Sequence, residues 1–205
     1  MALKKDVCVA ISTFGNRIEN AIDVAQRFKE LGVNAVIIHQ KPGRAEVIYK
    51  QSGVLIHQLN TIGVTKSRNY SIKNINSRFL WFMDDDVKLI PDEVEGTIDS
   101  LTNSPAGFFV IEVCDENNTK RKKYLKKGDN YNKFNVLNIG TIEVIINLDV
   151  IRKNAIKFPE FMGAGTTLPV SDEAVFLSRV LKKKIKGIHL GRTPLVHPAE
   201  SSGTV

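Results

Sequence analysis

The sequence contains few cysteines and no long apolar run. Only two of its 205 residues are cysteines, and Cys8 and Cys114 both lie within short apolar runs. Two isolated cysteines exclude a disulfide framework, and no cysteine spacing typical of a metal site occurs. No apolar run approaches the roughly 20 residues that a membrane-spanning helix needs. We therefore expect buried, reduced thiols in a cytoplasmic protein.

Targeting signals are also missing from the sequence. The first residues, MALKKDVCVAIS, include two lysines, but their apolar run is too short for a secretory signal. The last residues, PAESSGTV, offer no membrane-associating helix, and no internal repeat occurs. A composition of 42% hydrophobic and 25% charged residues is that of an ordinary globular protein. The length predicts one domain over residues 1–205.

Positive charge is in excess and unevenly distributed. The formal net charge is +7, and basic residues cluster at 119–133 and 182–186. Such an excess favours a polyanionic partner, which could be a nucleic acid, an anionic membrane face or a nucleotide-linked substrate. Either cluster could instead be a solvated loop or helix face. The asparagine, glycine and lysine content of residues 119–133 favours a mobile basic loop.

The first half of the sequence alternates between apolar runs and helical periodicity. The pattern predicts strands over 7–11, 34–40, 53–58 and 79–83, with helices over 18–31 and 63–75. This β-α-β-β-α-β order predicts a mainly parallel sheet covered by helices. Ligands of such sheets bind beyond the carboxyl ends of the strands. The segments STFGNR, HQKPGR, GVTKSRN and DDD should therefore surround the site.

The second half is less regular. We expect a helix over 91–101, strands over 107–114 and 185–190, and another strand or pair within 136–148. A short helix over 148–154 and a Gly/Pro-rich loop over 158–170 should follow. Ser171 is predicted to cap a final helix, which has two acidic residues in its first turn and lysines in its last.

Three consecutive aspartates, Asp84, Asp85 and Asp86, directly follow the apolar run FLWFM. If strand geometry persists, Asp84 and Asp86 point the same way, with about 7 Å between their α-carbons. Two converging carboxylates can chelate Mg²⁺ or Mn²⁺ through oxygen. Asp85 would point away, towards a ribose hydroxyl or a backbone donor. An acidic turn or helix cap before Pro91 is the alternative.

Four blocks in order resemble the family 2-type glycosyltransferases with the GT-A fold. They are VAISTFGNR at 9–17, GVTKSRNYSIKN at 63–74, FLWFMDDDVKLIP at 79–91 and the segment 161–190 with SDEAVF. The resemblance implies a single α/β domain of the GT-A, Rossmann-like type, with a mixed, mainly parallel sheet. Residues 1–100 would be the nucleotide-sugar-binding half, and residues 101–205 the acceptor-binding half.

The resemblance also implies the activity: metal-dependent transfer of a sugar from a nucleotide diphosphate, usually UDP, to a hydroxyl with inversion. Asp84 and Asp86 would bind Mn²⁺ or Mg²⁺, with His197 as a further ligand. Asp172 or Glu173 would be the general base. The donor would contact Ser12, Thr13, Arg17, Lys66, Arg68 and Asp85. Each of these residues could instead have a structural role, such as complementing a helix dipole or forming an ion pair. Glycines 163 and 165 would let the backbone approach a sugar.

One position departs from the family pattern. His39-Gln40-Lys41 stands where relatives often carry an aspartate pair that contacts the base, which leaves the base open. The acceptor is also open: a surface polysaccharide or lipid-linked glycan, or a hydroxylated base in DNA, which the enzyme would have to flip out. Other classes that fit the sequence are a nucleotidyltransferase and a non-catalytic nucleic-acid-binding protein.

Overall fold

The computed structural model describes residues 4–101 and 105–198, which form two sheets and five α-helices. The strands are β1 (Val7–Phe14), β2 (Asn34–Gln40), β3 (Val47–Gln51), β4 (Val54–Leu59), β5 (Phe79–Met83), β6 (Lys88–Leu89), β7 (Phe108–Val110), β8 (Val113–Cys114), β9 (Val144–Asn147), β10 (Gly187–His189) and β11 (Leu195–Val196). The helices are α1 (Ile18–Glu30), α2 (Val64–Asn74), α3 (Pro91–Ser100), α4 (Leu148–Lys153) and α5 (Asp172–Lys182). Short 3₁₀ helices cover Lys4–Asp6, Asn135–Asn138 and Thr141–Glu143.

The larger sheet is mixed and has the strand order β10-β7-β9-β5-β1-β2-β4-β3. Its central strands β5, β1, β2 and β4 are parallel, whereas β9 and the edge strand β3 run antiparallel to their neighbours. The smaller sheet has the order β6-β11-β8. The predicted α/β class and the mainly parallel centre are confirmed.

Helices cover both faces of the larger sheet, because its strand side chains alternate between two hydrophobic clusters. Val7, Val9 and Ile11 of β1 pack in one cluster with residues of α1 and α3. Cys8 and Ala10 lie in the other cluster, with residues of α2, α4 and α5. Cys8 and Cys114 are free and buried, as predicted.

The structure corrects four predictions about the elements. Strand β3 was missed, because its residues are mostly exposed and carry no burial pattern. The segment 107–114 forms two short strands in different sheets rather than one strand. Most of the segment 136–148 is 3₁₀ helix and loop before β9. Ser171 precedes α5 with φ of 67°, and its side chain makes no capping hydrogen bond.

The basic segment 119–133 is anchored to the core at several points, so it is not the fully solvated loop that the sequence left open as an alternative. Lys120 pairs with the buried Glu112 at 2.5 Å, and Lys122 pairs with the buried Glu143 at 2.5 Å. The Tyr131 side chain is buried, and its hydroxyl lies 3.1 Å from His189 Nδ1. The remaining lysines of the segment are exposed.

No helix among the described residues is long and apolar enough to cross a membrane. Residues 1–3 and 199–205 lie outside the described part of the chain. The prediction that the end of the sequence forms no membrane-associating helix therefore stays a prediction.

Candidate active site

A cavity of about 450 Å³ lies at the carboxyl ends of β1, β2, β4 and β5. We call it the first cavity. It is lined by side chains that follow each of these strands, and by the segment before α5 and the C-terminal strand region, namely Ser12, Thr13, Phe14, Arg17, Gln40, Ile62, Gly63, Val64, Arg68, Asp84, Asp85, Asp86, Ala164, Gly165 and His197. Parallel strands bring their carboxyl ends to one edge, which explains why four loops distant in sequence converge there.

The Asp85 side chain points towards β1 and the start of α1 and contacts protein side chains there. Its carboxylate is buried and accepts a hydrogen bond from Thr13 Oγ1 at 2.5 Å. Arg17, which directly precedes α1, pairs with Asp85 and lies 3.2 Å from Asp86 Oδ2. Burial raises the pKa of Asp85, although Thr13 and Arg17 oppose that shift. Asp85 therefore ties β1 and the start of α1 to the end of β5.

Asp84, Asp86 and His197 form a cluster in which one ligand atom from each lies within 4.8 Å of the others. His197 Nδ1 lies 2.9 Å from the Pro198 carbonyl oxygen. In the tautomer that donates from Nδ1 to this carbonyl, Nε2 is the nitrogen that faces Asp86 Oδ1, at 3.3 Å. An imidazole nitrogen whose partner nitrogen donates to a carbonyl is the usual arrangement of a metal ligand.

The electrostatics of this cluster favour a bound cation. Burial raises the pKa of Asp84, and the nearby Asp86 and Asp85 carboxylates add to that shift while Arg68 opposes it. The hydrogen bond to Asp86 raises the pKa of His197, although burial opposes it. Burial and the neighbouring carboxylates disfavour the charged form of Asp84, and a divalent metal would offset this cost. The residues present therefore fit Mn²⁺ or Mg²⁺.

Arg68 of α2 connects the first cavity to the two acidic residues at the start of α5. Its Nη1 forms a buried ion pair with Asp172 and lies 3.3 Å from Glu173 Oε1. The Thr141 hydroxyl also donates to Glu173 Oε1. Arg68 therefore contacts the α5 acids rather than an aspartate of the 84–86 run.

The pKa values of the adjacent acids Asp172 and Glu173 shift in opposite directions. Burial raises the pKa of Asp172 to about 6, and the neighbouring Glu173 charge adds to the shift, although Arg68 opposes it. Burial also opposes ionisation of Glu173, but Arg68 and the Thr141 hydroxyl outweigh it and hold the pKa of Glu173 below its usual value. The lowered pKa keeps Glu173 ionised at neutral pH.

A second cavity, of about 480 Å³, lies beside these acids. Its lining combines basic, acidic and small polar residues: Arg121, Lys122, Leu137, Asn138, Ile139, Gly140, Glu143, Ser171, Glu173 and Ala174. Two contacts connect it with the first cavity. One is the Arg68–Glu173 pair, and the other is Arg121 Nη1, 3.3 Å from His197 Nδ1.

The Gly-rich loop closes the first cavity where α2 begins. Ala164 accepts a hydrogen bond from the backbone of Val64 at 3.0 Å. A Cβ on Gly163 would lie 2.9 Å from Asp172 Oδ1, and this glycine has φ of +89°. A residue with a side chain would therefore displace Asp172 and, through it, Arg68.

Most of the predicted site residues come together. Ser12, Thr13, Arg17, Arg68, Asp84, Asp85, Asp86 and His197 line the first cavity, and Glu173 lines the second. Asp172 is 3% exposed and lines neither cavity, so it lies behind Arg68 and Glu173. Lys66 also lines neither cavity, and its predicted contact with the donor stays a prediction.

Sequence reasoning missed the contributions of Gln40, Thr141 and Arg121. Gln40 is buried at the end of β2, where its amide nitrogen donates to Thr61 Oγ1 and to the Gly63 carbonyl. Its position as the last residue of the predicted strand 34–40, inside the segment HQKPGR that was expected at the site, was the available signal. No local signal distinguished Thr141, or separated Arg121 from its basic neighbours.

Residues 40–158 match the family described as Glycosyl transferase family 2. Since this is more than half of the chain, the protein belongs to that family. Among solved structures, S. aureus TarS 1–349 has a TM-score of 0.66 at 14% identity, covering 94% of this chain and 60% of that one. TarS 1–349 in complex with UDP-GlcNAc has the same TM-score at 13% identity, covering 96% of this chain and 59% of that one.

These structural matches establish the GT-A fold. The chain spans about 60% of the length of the TarS 1–349 structure. A comparison with curated protein sequences found no match.

Proposed function

We propose that this glycosyltransferase transfers a sugar from a UDP-sugar to an acceptor hydroxyl, with a divalent metal and with inversion at the anomeric carbon. The observation that carries the proposal is the junction of the two cavities. An acidic cluster with an imidazole lies in the first cavity, and an ionised glutamate faces the second. The arrangement suits a leaving diphosphate on one side of the sugar and an attacking hydroxyl on the other.

The metal would be held by Asp84, Asp86 and His197, for the reasons of geometry and protonation given above. A divalent cation supplies neutralisation of the charge that develops on the leaving diphosphate. Arg17 and Arg68 also line this cavity and add fixed positive charge on the donor side. Ser12 and Thr13 line the same wall, and we propose that they contact the nucleoside.

The uracil base of the donor would lie between Gln40 and two partly exposed apolar side chains. Phe14 and Ile62 are each about half exposed and line the first cavity. The Gln40 amide nitrogen donates to two protein acceptors, which leaves its carbonyl oxygen as an acceptor. That oxygen would suit the N3–H of uracil without the aspartate pair that relatives use. The solved complexes of S. aureus TarS with UDP-GlcNAc and with UDP support this choice of donor.

Glu173 would be the general base. In the proposed step the acceptor oxygen bonds to the anomeric carbon, the bond from that carbon to the diphosphate oxygen breaks, and the acceptor proton passes to Glu173. Arg68 and Thr141 orient the Glu173 carboxylate through Oε1. Asp172 would act as a positioning residue for Arg68.

The two halves predicted from the sequence stay a proposal, with one addition. Residues 101–205 would form most of the acceptor side, yet Ala164, Gly165 and His197 also line the first cavity. The identity of the acceptor as a surface polysaccharide, a lipid-linked glycan or DNA stays a prediction.

Binding of UDP, with and without metal, tests the donor side without knowledge of the acceptor. We expect Mn²⁺ or Mg²⁺ to tighten UDP binding at least tenfold in calorimetric titrations, because a cation held by Asp84, Asp86 and His197 would neutralise charge on the diphosphate. Asp86→Asn should abolish most of this gain. Asp23→Asn, a change of equal charge at an exposed position of α1, should retain it. Equal metal enhancement in Asp86→Asn and the unmodified protein would exclude the proposed metal site.

A further inference from the structure

We propose that the second cavity binds an acceptor that carries a phosphate ester close to its reacting hydroxyl, and that Arg121 is the residue that contacts this phosphate. The inference rests on the proposed function, because it assigns the acceptor side of the same reaction. Three observations support it. The lysines next to Arg121 already have acidic partners, no carboxylate among the described residues pairs with Arg121, and Glu173 lines the same cavity.

The cations adjacent to Arg121 already have acidic partners. Lys120 pairs with Glu112 at 2.5 Å. Lys122 pairs with Glu143 at 2.5 Å and donates to the Asn138 carbonyl. Both carboxylates that line the second cavity are likewise occupied, Glu143 by Lys122 and Glu173 by Arg68. The two lysines therefore neutralise buried glutamates, and Lys122 would contribute little to the binding free energy of an anionic ligand.

Arg121 differs from both of these lysines. Within residues 4–101 and 105–198, no carboxylate forms an ion pair with it, and its side chain is exposed in the second cavity. Its Nη1 lies 3.3 Å from His197 Nδ1. That nitrogen also lies 2.9 Å from the Pro198 carbonyl oxygen. The contact with His197 therefore involves at most one of the five guanidinium N–H donors of Arg121.

A planar guanidinium with free donors in a cavity is suited to a phosphate, which it can bind through two parallel hydrogen bonds. Glu173 lines the same cavity, so an acceptor could place its phosphate on Arg121 and its hydroxyl on Glu173. Leu137 is 63% exposed and forms an apolar part of the lining, which suits the carbon skeleton of a sugar or polyol. The net positive charge of the chain would attract such an anion over longer range.

The segment that carries Arg121 is suited to hold it in place. The backbone N–H of Arg121 donates to the Val113 carbonyl at 3.1 Å, and the nearby Tyr124 hydroxyl donates to Glu143 Oε1 at 2.8 Å. Ordered neighbours reduce the conformational entropy that Arg121 would lose on binding a ligand. The proposal therefore concerns a preformed contact rather than a mobile basic loop.

The test measures binding of glycerol 1-phosphate by NMR titration to the protein saturated with UDP and Mg²⁺, so that the donor site is occupied. We expect saturable binding of glycerol 1-phosphate and none of glycerol at the same concentrations. Arg121→Ala should weaken the binding at least tenfold, because one bidentate charged contact is lost. Arg121→Lys should recover only part of it, because an ammonium cannot bind phosphate bidentately. Lys123→Ala, an exposed neighbour that lines neither cavity, should bind like the unmodified protein.

The source of the phosphate is distinguished by a second probe. A thymidine octanucleotide that binds with the same dependence on Arg121 would identify a phosphodiester chain as sufficient, and binding of glycerol 1-phosphate alone would identify a monoester. Equal affinity of Arg121→Ala and the unmodified protein for glycerol 1-phosphate would overturn the proposal, as would no binding at all. Failure of the unmodified protein to bind UDP would instead refute the proposed function, so the two failures are separable.

Discussion

Arg68 is the single residue on which both sides of the site depend. Its side chain lines the first cavity, and its Nη1 contacts both acids at the start of α5. Asp172 is the more buried of those acids and Glu173 is the one that reaches a cavity. Two adjacent carboxylates thus share one guanidinium, and their pKa values shift in opposite directions.

The raised pKa of Asp172 predicts a pH-dependent effect on stability. The folded protein favours the protonated carboxyl, so the stabilising contribution is complete below the ordinary pKa of 3.8 and is lost as pH rises through about 6. Asp172→Asn is neutral at every pH. We therefore expect the Tm of Asp172→Asn, relative to the unmodified protein, to increase between about pH 4 and pH 7.

Thermal unfolding followed by circular dichroism across this pH range measures the difference. Asp149→Asn removes one charge from the exposed first turn of α4 and is the matched control. A Tm difference for Asp172→Asn that is the same at both ends of the range would contradict the shift.

At the scale of elements, several helix ends have a residue in the left-handed backbone region. α5 begins after Ser171, which has φ of 67° and makes no side-chain capping hydrogen bond. Another such helix end is the C-terminus of α4. Ala155, two residues after it, also lies in the left-handed region, with φ of 52°, and the backbone N–H of Ile156 donates to the Ile151 carbonyl at 3.1 Å.

Ala155→Gly should stabilise the protein by about 1 kcal/mol, because glycine adopts the left-handed conformation without the steric cost of a Cβ. Ala155 is exposed, so no packing is lost. The free energy of unfolding in urea measures the effect. Ala45→Gly, at an exposed loop position without positive φ, should not stabilise the protein. Equal effects of the two substitutions would rule out strain at Ala155.

At the scale of the whole molecule, buried acids hold the basic segment 119–133 against the two sheets. Glu112 accepts from the Thr193 hydroxyl at 3.0 Å and lies 3.2 Å from the buried His189. It also pairs with Lys120, whose side chain is 55% exposed. The segment thereby reaches both the second cavity and the His197 region, although much of its surface remains in solvent.

Glu112→Ala should destabilise the protein by about 2 kcal/mol, because the buried His189 and the half-buried Thr193 hydroxyl lose their acceptor. Glu116→Ala removes an ion pair with Lys88 in which both side chains are more than half exposed, and should cost less than about 0.5 kcal/mol. Urea unfolding of both variants provides the comparison. Similar losses for the two would show that Glu112 does not anchor the segment.

Short-range patterns in the sequence were enough for the central strands, most helices and the position of the three aspartates. Apolar runs and helical periodicity depend only on neighbouring residues, so β1, β2, β4, β5 and α1–α3 were predictable. The exposed strand β3 and the two strands of segment 107–114 were not, because their pairing depends on distant partners. The family resemblance supplied the site residues that local pattern alone could not assign.

The sequence by itself determined the α/β class, the edge of the sheet at which the site lies and the acidic cluster that follows β5. Only the tertiary structure decided how the charges are shared. Arg68 meets Asp172 across 104 residues, and Arg121 meets His197 across 76. Such contacts follow from the order of strands in the sheet and from burial, which no local pattern contains. For that reason the different positions of Asp172 and Glu173 relative to the cavities, and the exposure of Arg121 in the second cavity, could be read only from the fold.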